Sequence, residues 1–128
     1  MSPKSPISPK GTPVAASRNA EEIFAHHGQA LVAENLAEIV SDYSDDAILM
    51  LHKKVYRGKE GARAVFTQLL QDVPQATWTL GTVFADDVLY LEWKAKGTVR
   101  HVDDGIDTFV FHNGQIRVQT VQYTLHDN

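Results

Sequence analysis

The spacing of the apolar residues changes at Pro74, and this change constrains the fold more than any other feature of the sequence. Before Pro74 the apolar residues recur at helical spacing, most clearly between residues 62 and 73. After Pro74 apolar and polar residues alternate, which is typical of strands in an antiparallel sheet. Helices followed by such a sheet predict an α+β fold whose helices cover one face of the sheet.

Three helices are predicted before this proline. The first begins where Asn19 and Glu22 have the spacing of a capping box, and a short second helix has its apolar side at residues 36–43. The third covers residues 62–73, and Pro74 stops it. Two strands are expected between the second and third helices, a buried one at 47–52 and a short return strand at 55–57.

Four longer strands are predicted after the third helix. Their alternating residues are Trp78, Leu80, Thr82 and Phe84, then Leu89, Leu91, Trp93 and Ala95, then Asp107, Phe109 and Phe111, and finally Val121 and Tyr123. Turns are predicted at residues 85–87, at 101–105 and at Asn113-Gly114, a dipeptide that strongly favours tight hairpins.

The length of 128 residues fits one domain, which we assign to residues 17–128. Residues 1–16 contain four of the five prolines, spaced by Ser and Lys, and are predicted to form a flexible tail. The chain has no cysteine, which excludes disulfides, thiolate catalysis and cysteine-ligated metals. Its net charge of −4 gives no basic footprint for nucleic acid or an anionic membrane.

Several other classes of function lack a signal in the sequence. No apolar run approaches the ~20 residues of a membrane helix, and no secretory signal is present, so a cytoplasmic protein is expected. The six histidines do not have metal-ligand spacing, and Gly-rich phosphate loops and Gly-x-Ser-x-Gly are missing. We therefore expect neither a metal nor another cofactor, and no nucleic acid or membrane as a partner.

Three segments resemble a known superfamily in their order and spacing. They are Glu34-Asn35-Leu36 followed by residues 42–47, Tyr56-Arg57-Gly58 with Gly61, and residues 107–116. Between about residues 18 and 124 the chain is similar to the nuclear transport factor two-like superfamily, and within it to the SnoaL-like group of ketosteroid isomerases and polyketide cyclases. The resemblance implies a cone-shaped α+β barrel, in which three helices pack on a strongly curved antiparallel sheet around an internal pocket. It implies no single activity, because this fold hosts many.

Asp107 is the first catalytic candidate. It alternates with Phe109 and Phe111, which places a carboxyl group on an apolar face of the sheet, where it must find a partner or stay protonated. In ketosteroid isomerases an aspartate at the matching place stays neutral and donates a hydrogen bond to the developing oxyanion. The alternative is a structural role, in which Asp107 binds a backbone amide or a basic side chain.

His27 is the second catalytic candidate. It lies on the apolar stripe of the first helix with Phe24 and Leu31, so its side chain is predicted to point inward. The resemblance aligns it with an oxyanion-contacting tyrosine of the isomerases, and histidine acts as acid or base near neutral pH. The alternative is a core histidine whose nitrogens bond a carbonyl or Asp107.

The remaining pocket residues are predicted to bind ligand. The resemblance places Gln119 and Tyr123 along the pocket. Trp78 and Trp93 alternate in step with the apolar residues of their strands, which predicts that their rings line the pocket, although core packing explains the tryptophans equally well. The predicted ligand-binding set consists of Tyr123, Gln119, Trp93, Trp78, Phe109, Phe24 and Leu51.

Two departures from the family limit the chemistry. Leu51 stands where the isomerases hold a general-base carboxylate, and Val121 stands where epoxide hydrolases of the superfamily hold an aspartate, so both reactions are disfavoured. Counting back from Asp107 on family spacing turns Glu92 inward as a substitute base, whereas alternation puts Leu89 and its apolar partners inside. A bulge in the hairpin would decide between the two.

The sequence supports two hypotheses for function. The first is a SnoaL-like domain that binds a small hydrophobic ligand in an apolar pocket and acts on it by acid/base chemistry, as an isomerase, cyclase or dehydratase. The second is a non-catalytic binding or dimerisation module of the same fold. The resemblance also implies a homodimer through the outer face of the sheet.

Overall fold

The computed structural model describes residues 18–128, so the tail predicted for residues 1–16 lies outside the described residues. The elements are, in chain order, α1 (Ala20–Val32), α2 (Leu36–Ser41), β1 (Tyr43–Leu51), β2 (Lys54–Arg57), α3 (Gly58–Asp72), β3 (Thr77–Ala85), β4 (Val88–Lys96), β5 (Arg100–His112), β6 (Gln115–Gln122) and β7 (His126–Asp127). The α+β class and the three helices packed on a strongly curved sheet are confirmed.

The start of α1 and the end of α3 lie where the sequence predicts, whereas α3 begins at Gly58 rather than at residue 62. The Asn19 side chain accepts a hydrogen bond from the backbone N–H of Glu22, and the Glu22 side chain accepts one from the N–H of Asn19, which is the expected capping box. The helix α3 ends at Asp72, immediately before Val73 and Pro74. The buried residues of α3 and α1 pack against one face of the sheet and form the hydrophobic core together with it.

The strand order is β2-β1-β6-β5-β4-β3, with β7 paired to β5. Every pair is antiparallel except β1 with β6, which is parallel, so the prediction of a wholly antiparallel sheet was wrong at this pair. Parallel neighbours need a long crossover. Here β2, α3 and the strands β3 to β5 supply it, because they separate β1 from β6 in the chain.

The predicted turn at residues 101–105 was also wrong, because β5 runs through it. The chain reverses earlier, where the N–H of Gly97 donates to the carbonyl of Arg100. Trp93 lies opposite Gly105, and Ala95 lies opposite Val102. Between these two pairs β5 contains one residue more than β4, and such an extra residue is a β-bulge.

Gly105 serves the packing of Trp93 rather than a turn. A Cβ atom at Gly105 would lie only 2.1 Å from a ring carbon of Trp93, so only glycine lets the indole lie flat on this strand. The bulge leaves the alternation of β4 intact, with Leu89 and its apolar partners buried and Glu92 exposed. The orientation chosen from the alternation is therefore confirmed, and Glu92 does not face the interior.

The hairpin between β5 and β6 has the predicted turn. Asn113 and Gly114 have φ angles of 51° and 74°, and two consecutive left-handed residues define the type I′ turn that fits the twist of a hairpin. The strand β1, in contrast, begins at Tyr43 rather than at residue 47, with an irregular register between Tyr43 and Ile48. This places Tyr43 in the sheet instead of on the second helix.

Candidate functional site

A cavity lies between α1, α3 and the inner face of the sheet. It brings together all nine residues predicted to act in catalysis or ligand binding, namely Phe24, His27, Leu51, Trp78, Trp93, Asp107, Phe109, Gln119 and Tyr123. The space between the lining atoms, with the mouth included, is about 530 Å³, but the centre of a water molecule reaches only about 40 Å³ of it. The cavity is thus narrow and mostly apolar.

Asp107 is held at the cavity wall by two N–H donors. The Trp93 Nε1–H donates to Oδ1 at 2.9 Å, and the Gln119 amide donates from Nε2 to Oδ2 at 3.0 Å. Burial raises the pKa of Asp107 from 3.8 to about 7, and the two hydrogen bonds only partly oppose this rise. Both protonation states of Asp107 are therefore populated near neutral pH.

Tyr43 fixes the orientation of the Gln119 amide. The hydroxyl group of Tyr43 donates to Gln119 Oε1, which leaves the amide N–H of Gln119 facing Asp107. Burial raises the pKa of Tyr43 far above its ordinary value of 10, so the hydroxyl stays a donor. Sequence reasoning missed Tyr43, because its apolar spacing placed it on the second helix.

His27 is enclosed by aromatic rings. Its ring centroid lies 5.3 Å from that of Phe66 and 5.6 Å from that of Phe109. The Nδ1 atom is buried and has no hydrogen-bond partner among the described residues, so neither a carbonyl nor Asp107 satisfies it. Burial lowers the pKa of His27 from 6.5 to about 4, and the imidazole is neutral at neutral pH.

Tyr123 belongs to a second polar group beside the cavity. Its hydroxyl donates to Asp72 Oδ2 at 3.0 Å, and Gln68 Nε2 donates to Asp72 Oδ1 at 2.8 Å. The Tyr123 ring packs against Trp93 at 5.5 Å between centroids. Asp72 was not predicted, although Gln68 and Asp72 have the i,i+4 spacing that places two side chains on one helix face.

Leu51 and Val121, the two positions at which the resemblance implies a departure from the family's carboxylates, both line the cavity with aliphatic side chains. Between residues 18 and 128, no three His, Asp or Glu side chains come together as metal ligands. No helix in that range is long and apolar enough to cross a membrane.

A separate ionic cluster lies at the outer side of α1. Arg18 Nη1 is 2.9 Å from Asp42 Oδ1, and His26 Nδ1 is 2.7 Å from Asp42 Oδ2. The hydrogen bond that His26 donates to the Asp42 carboxylate raises the pKa of His26. None of these residues lines the cavity, so adjacent histidines on one helix have different environments: His26 is paired with carboxylates, and His27 is buried among rings.

Comparisons with known proteins agree with this architecture. The family model for the SnoaL-like domain matches residues 24–119. The enzyme SalBIII, an epoxide hydrolase/cyclase-like protein with a role in pyran ring formation in salinomycin, has a similar structure, with a TM-score of 0.72 and 17% identity over 85% of this chain and 95% of its own.

Two further solved structures are similar. One is a nuclear transport factor two-like protein of unknown function from Burkholderia xenovorans LB400, with a TM-score of 0.68 and 16% identity over 82% of each chain. The other is a candidate ketosteroid isomerase from Kribbella flavida, with a TM-score of 0.66 and 10% identity over 80% of this chain and 75% of its own. At such identities the likeness shows the fold alone. No curated protein matches the sequence.

Proposed function

Because the chain belongs to the SnoaL-like domain family of the nuclear transport factor two-like superfamily, we propose that it binds a small apolar ligand in the cavity and acts on it by acid/base chemistry. Isomerase, cyclase or dehydratase reactions are of this kind. One observation carries the proposal: a titratable carboxyl group lines the same apolar cavity as a neutral imidazole, one nitrogen of which has no hydrogen-bond partner within residues 18–128. Isomerases and cyclases among the solved structures of this fold support it.

The two side chains have exchanged their ordinary order of acidity. The pKa of Asp107 is about 7 and that of His27 is about 4, so near neutral pH a substantial fraction of the Asp107 carboxyl groups retain a proton while the imidazole is a free base. Environments that separate two pKa values in this way suit an acid and a base acting on one ligand. In this proposal Asp107 donates to a ligand oxygen, and His27 accepts a proton from a neighbouring carbon.

The test uses a cyclohexenone whose double bond is not conjugated with its carbonyl, because its isomerisation gives a conjugated product that absorbs in the ultraviolet. Binding is followed by the indole N–H resonances of Trp78 and Trp93, the two tryptophans of the chain, which both line the cavity. Asp107→Asn should retain the ligand-induced shifts and lose turnover by roughly 100-fold or more. Asp86→Asn, at an exposed turn, is the matched control and should keep both. Unchanged turnover in Asp107→Asn would reject the proposed acid.

A second candidate function is non-catalytic binding of the same ligand class. It is favoured by Leu51 and Val121, which leave the cavity without the carboxylates that related enzymes use. Ligand-induced indole shifts in the wild type without any turnover would support this candidate over the enzyme.

We also propose that two copies of the chain pair through the outer face of the sheet. Its large apolar side chains are unusually exposed, with Val83 at 63%, Val88 at 41%, Tyr90 at 40% and Ile106 at 45%. The register makes them neighbours, because Val83 lies opposite Tyr90. An exposed apolar patch of this kind marks a protein interface.

Sedimentation measurements test the dimer. Tyr90→Glu should halve the mass of the wild-type particle, because it places a charge in the proposed interface. Gln29→Glu, on the exposed side of α1, should leave the mass unchanged. A wild-type protein that sediments as a monomer over the whole concentration range would contradict the proposal.

A further inference from the structure

The mouth of the cavity lies between α1 and β3. The lining residues that solvent reaches are Phe24, Gly28 and Leu31 on the helix and Trp78 and Leu80 on the strand. All other lining residues are buried, including His27, Asp107 and Gln119. The polar groups are therefore at the closed end of the cavity, and the open end is apolar.

An apolar groove continues outward from this mouth. It shares Phe24, Gly28 and Leu80 with the cavity and is completed by Ala25, Gln29, Val32 and Ala33; we call these seven residues the α1 groove. Gln29 is the one polar side chain among them. Val32 is 68% exposed, which makes it the most exposed large apolar residue of the described chain.

Gly28 forms the passage between the cavity and the groove. A Cβ atom at this position would meet no heavy atom of the described part of the chain within 4 Å, so the close packing of a described neighbour does not require glycine here. Glycine inside a helix is less favourable than alanine. The open space over Gly28 joins the interior of the cavity to the surface of α1.

We propose that the ligand is elongated, an aliphatic chain with one carbonyl or hydroxyl oxygen that reaches Asp107 while the chain leaves past Gly28 and lies in the α1 groove. This inference rests on the proposed function, because it names the class of ligand that the cavity binds. Its second support is the narrowness of the interior, where the centre of a water molecule reaches only about 40 Å³. A chain fits such a space better than a fused ring system.

Straight-chain methyl ketones from butanone to decanone test the proposal, with the Trp93 indole N–H resonance as the readout. Each added methylene that leaves water should lower the dissociation constant about fourfold. The gain should continue until the chain has passed Val32, one helical turn beyond Gly28.

Two asparagine variants separate the groove from general hydrophobicity. Val32→Asn should weaken decanone binding severalfold and leave butanone binding unchanged. Val99→Asn is the matched control, because Val99 is 56% exposed but lies between β4 and β5 and belongs neither to the cavity nor to the α1 groove, and it should change neither.

The outcomes distinguish this inference from the proposed function. Butanone binding without any gain for longer ketones would overturn the elongated ligand and leave the proposed function intact. Equal weakening by Val32→Asn and Val99→Asn would overturn the assignment to the α1 groove. If no straight-chain ketone shifts the Trp93 resonance while the cyclohexenone does, the elongated ligand is overturned and the proposed function stands; if neither ligand shifts it, the proposed function itself fails.

Discussion

Asp107→Asn should change how the stability of the protein depends on pH. Burial raises the pKa of Asp107 from 3.8 to about 7 in the folded state. Between these two values the folded protein holds a proton that the unfolded chain has released, so the folded state binds more protons. Stability is therefore lost as the pH rises from about 4 to about 7, and it stays lost above that range.

The magnitude follows from the two pKa values. Each pKa unit corresponds to about 1.4 kcal/mol, so a rise from 3.8 to about 7 amounts to about 4 kcal/mol of stability lost between pH 4 and pH 8. Asparagine has one acceptor oxygen, so it accepts from only one of the two N–H donors and turns its own NH2 group toward the other. The variant should therefore be less stable than the wild type by about 1–3 kcal/mol near pH 4, and this difference should shift in favour of the variant by up to about 4 kcal/mol between pH 4 and pH 8.

His27 opposes this trend in the wild type. Its pKa falls from 6.5 to about 4 on folding, so the unfolded chain takes up a proton first as the pH falls. Stability is lost on this account as the pH falls from about 6.5 to about 4, by about 3 kcal/mol. Between about pH 4 and about pH 6.5 the contributions of Asp107 and His27 to the pH dependence of stability nearly cancel. In Asp107→Asn the contribution of Asp107 is removed and that of His27 remains, so the variant loses stability as the pH falls.

Urea unfolding at closely spaced pH values measures the difference between the wild type and Asp107→Asn directly. Contributions from His26, His27 and other titrating groups cancel in this difference. Asp86→Asn, which replaces an exposed carboxylate at a turn, should run parallel to the wild type. A difference between the wild type and Asp107→Asn that stays constant from pH 4 to pH 8 would refute the reasoning, because Trp93 and Gln119 would then outweigh burial and keep Asp107 ionised.

Two further substitutions act on the same carboxyl group from a distance. Tyr43→Phe removes the hydroxyl that donates to Gln119 Oε1, so the Gln119 amide is free to turn away from Asp107. The free energy of unfolding should fall by about 1–3 kcal/mol, and the pKa of Asp107 should rise because its carboxylate loses a donor. A pH titration of the Trp93 indole N–H resonance measures that pKa. Gly105→Ala places a Cβ atom 2.1 Å from the Trp93 ring, so the indole should move away from Asp107. The free energy of unfolding in urea should fall by about 1–3 kcal/mol, and the Trp93 indole N–H resonance should shift.

Each of these substitutions has a matched control. Tyr123→Phe removes the hydroxyl of another buried tyrosine, but that hydroxyl is bonded to Asp72, so the titration of the Trp93 resonance should keep its midpoint. Gly81→Ala adds a Cβ atom whose nearest neighbour is 3.9 Å away and should leave stability within about 0.5 kcal/mol. Equal effects from a substitution and its control would contradict the assigned contacts.

The periodicity of the sequence predicted most of the fold because one physical rule governs it locally. A strand exposes alternate residues to opposite faces, and this alone placed Leu89 and its partners inside and Glu92 outside. The rule failed at residues 101–105, where Asp103, Asp104 and Gly105 have the composition of a turn. Gly105 is required instead by the Trp93 ring, which belongs to another strand, and no local pattern contains that contact.

In the candidate site, too, the features set by neighbouring residues were predictable and those set by residues far apart in the chain were not. The alternation with Phe109 was enough to predict that the side chain of Asp107 points inward. Its hydrogen-bond network was not predictable, because Tyr43 and Gln119 are 76 residues apart in the chain and meet only through the parallel pairing of β1 with β6. That pairing was the part of the sheet topology that the sequence did not predict.

The exchanged acidities of Asp107 and His27 follow from packing. As free side chains they have pKa values of 3.8 and 6.5, and at neutral pH they would be a carboxylate and a mostly neutral imidazole. Burial raises the first to about 7 and lowers the second to about 4, because an apolar surrounding disfavours whichever form is charged. The rings of Phe66 and Phe109 enclose His27, and opening that enclosure to water would return the pKa of His27 toward its ordinary value. The proposed acid/base pair therefore depends on these two rings as well as on the two titrating groups.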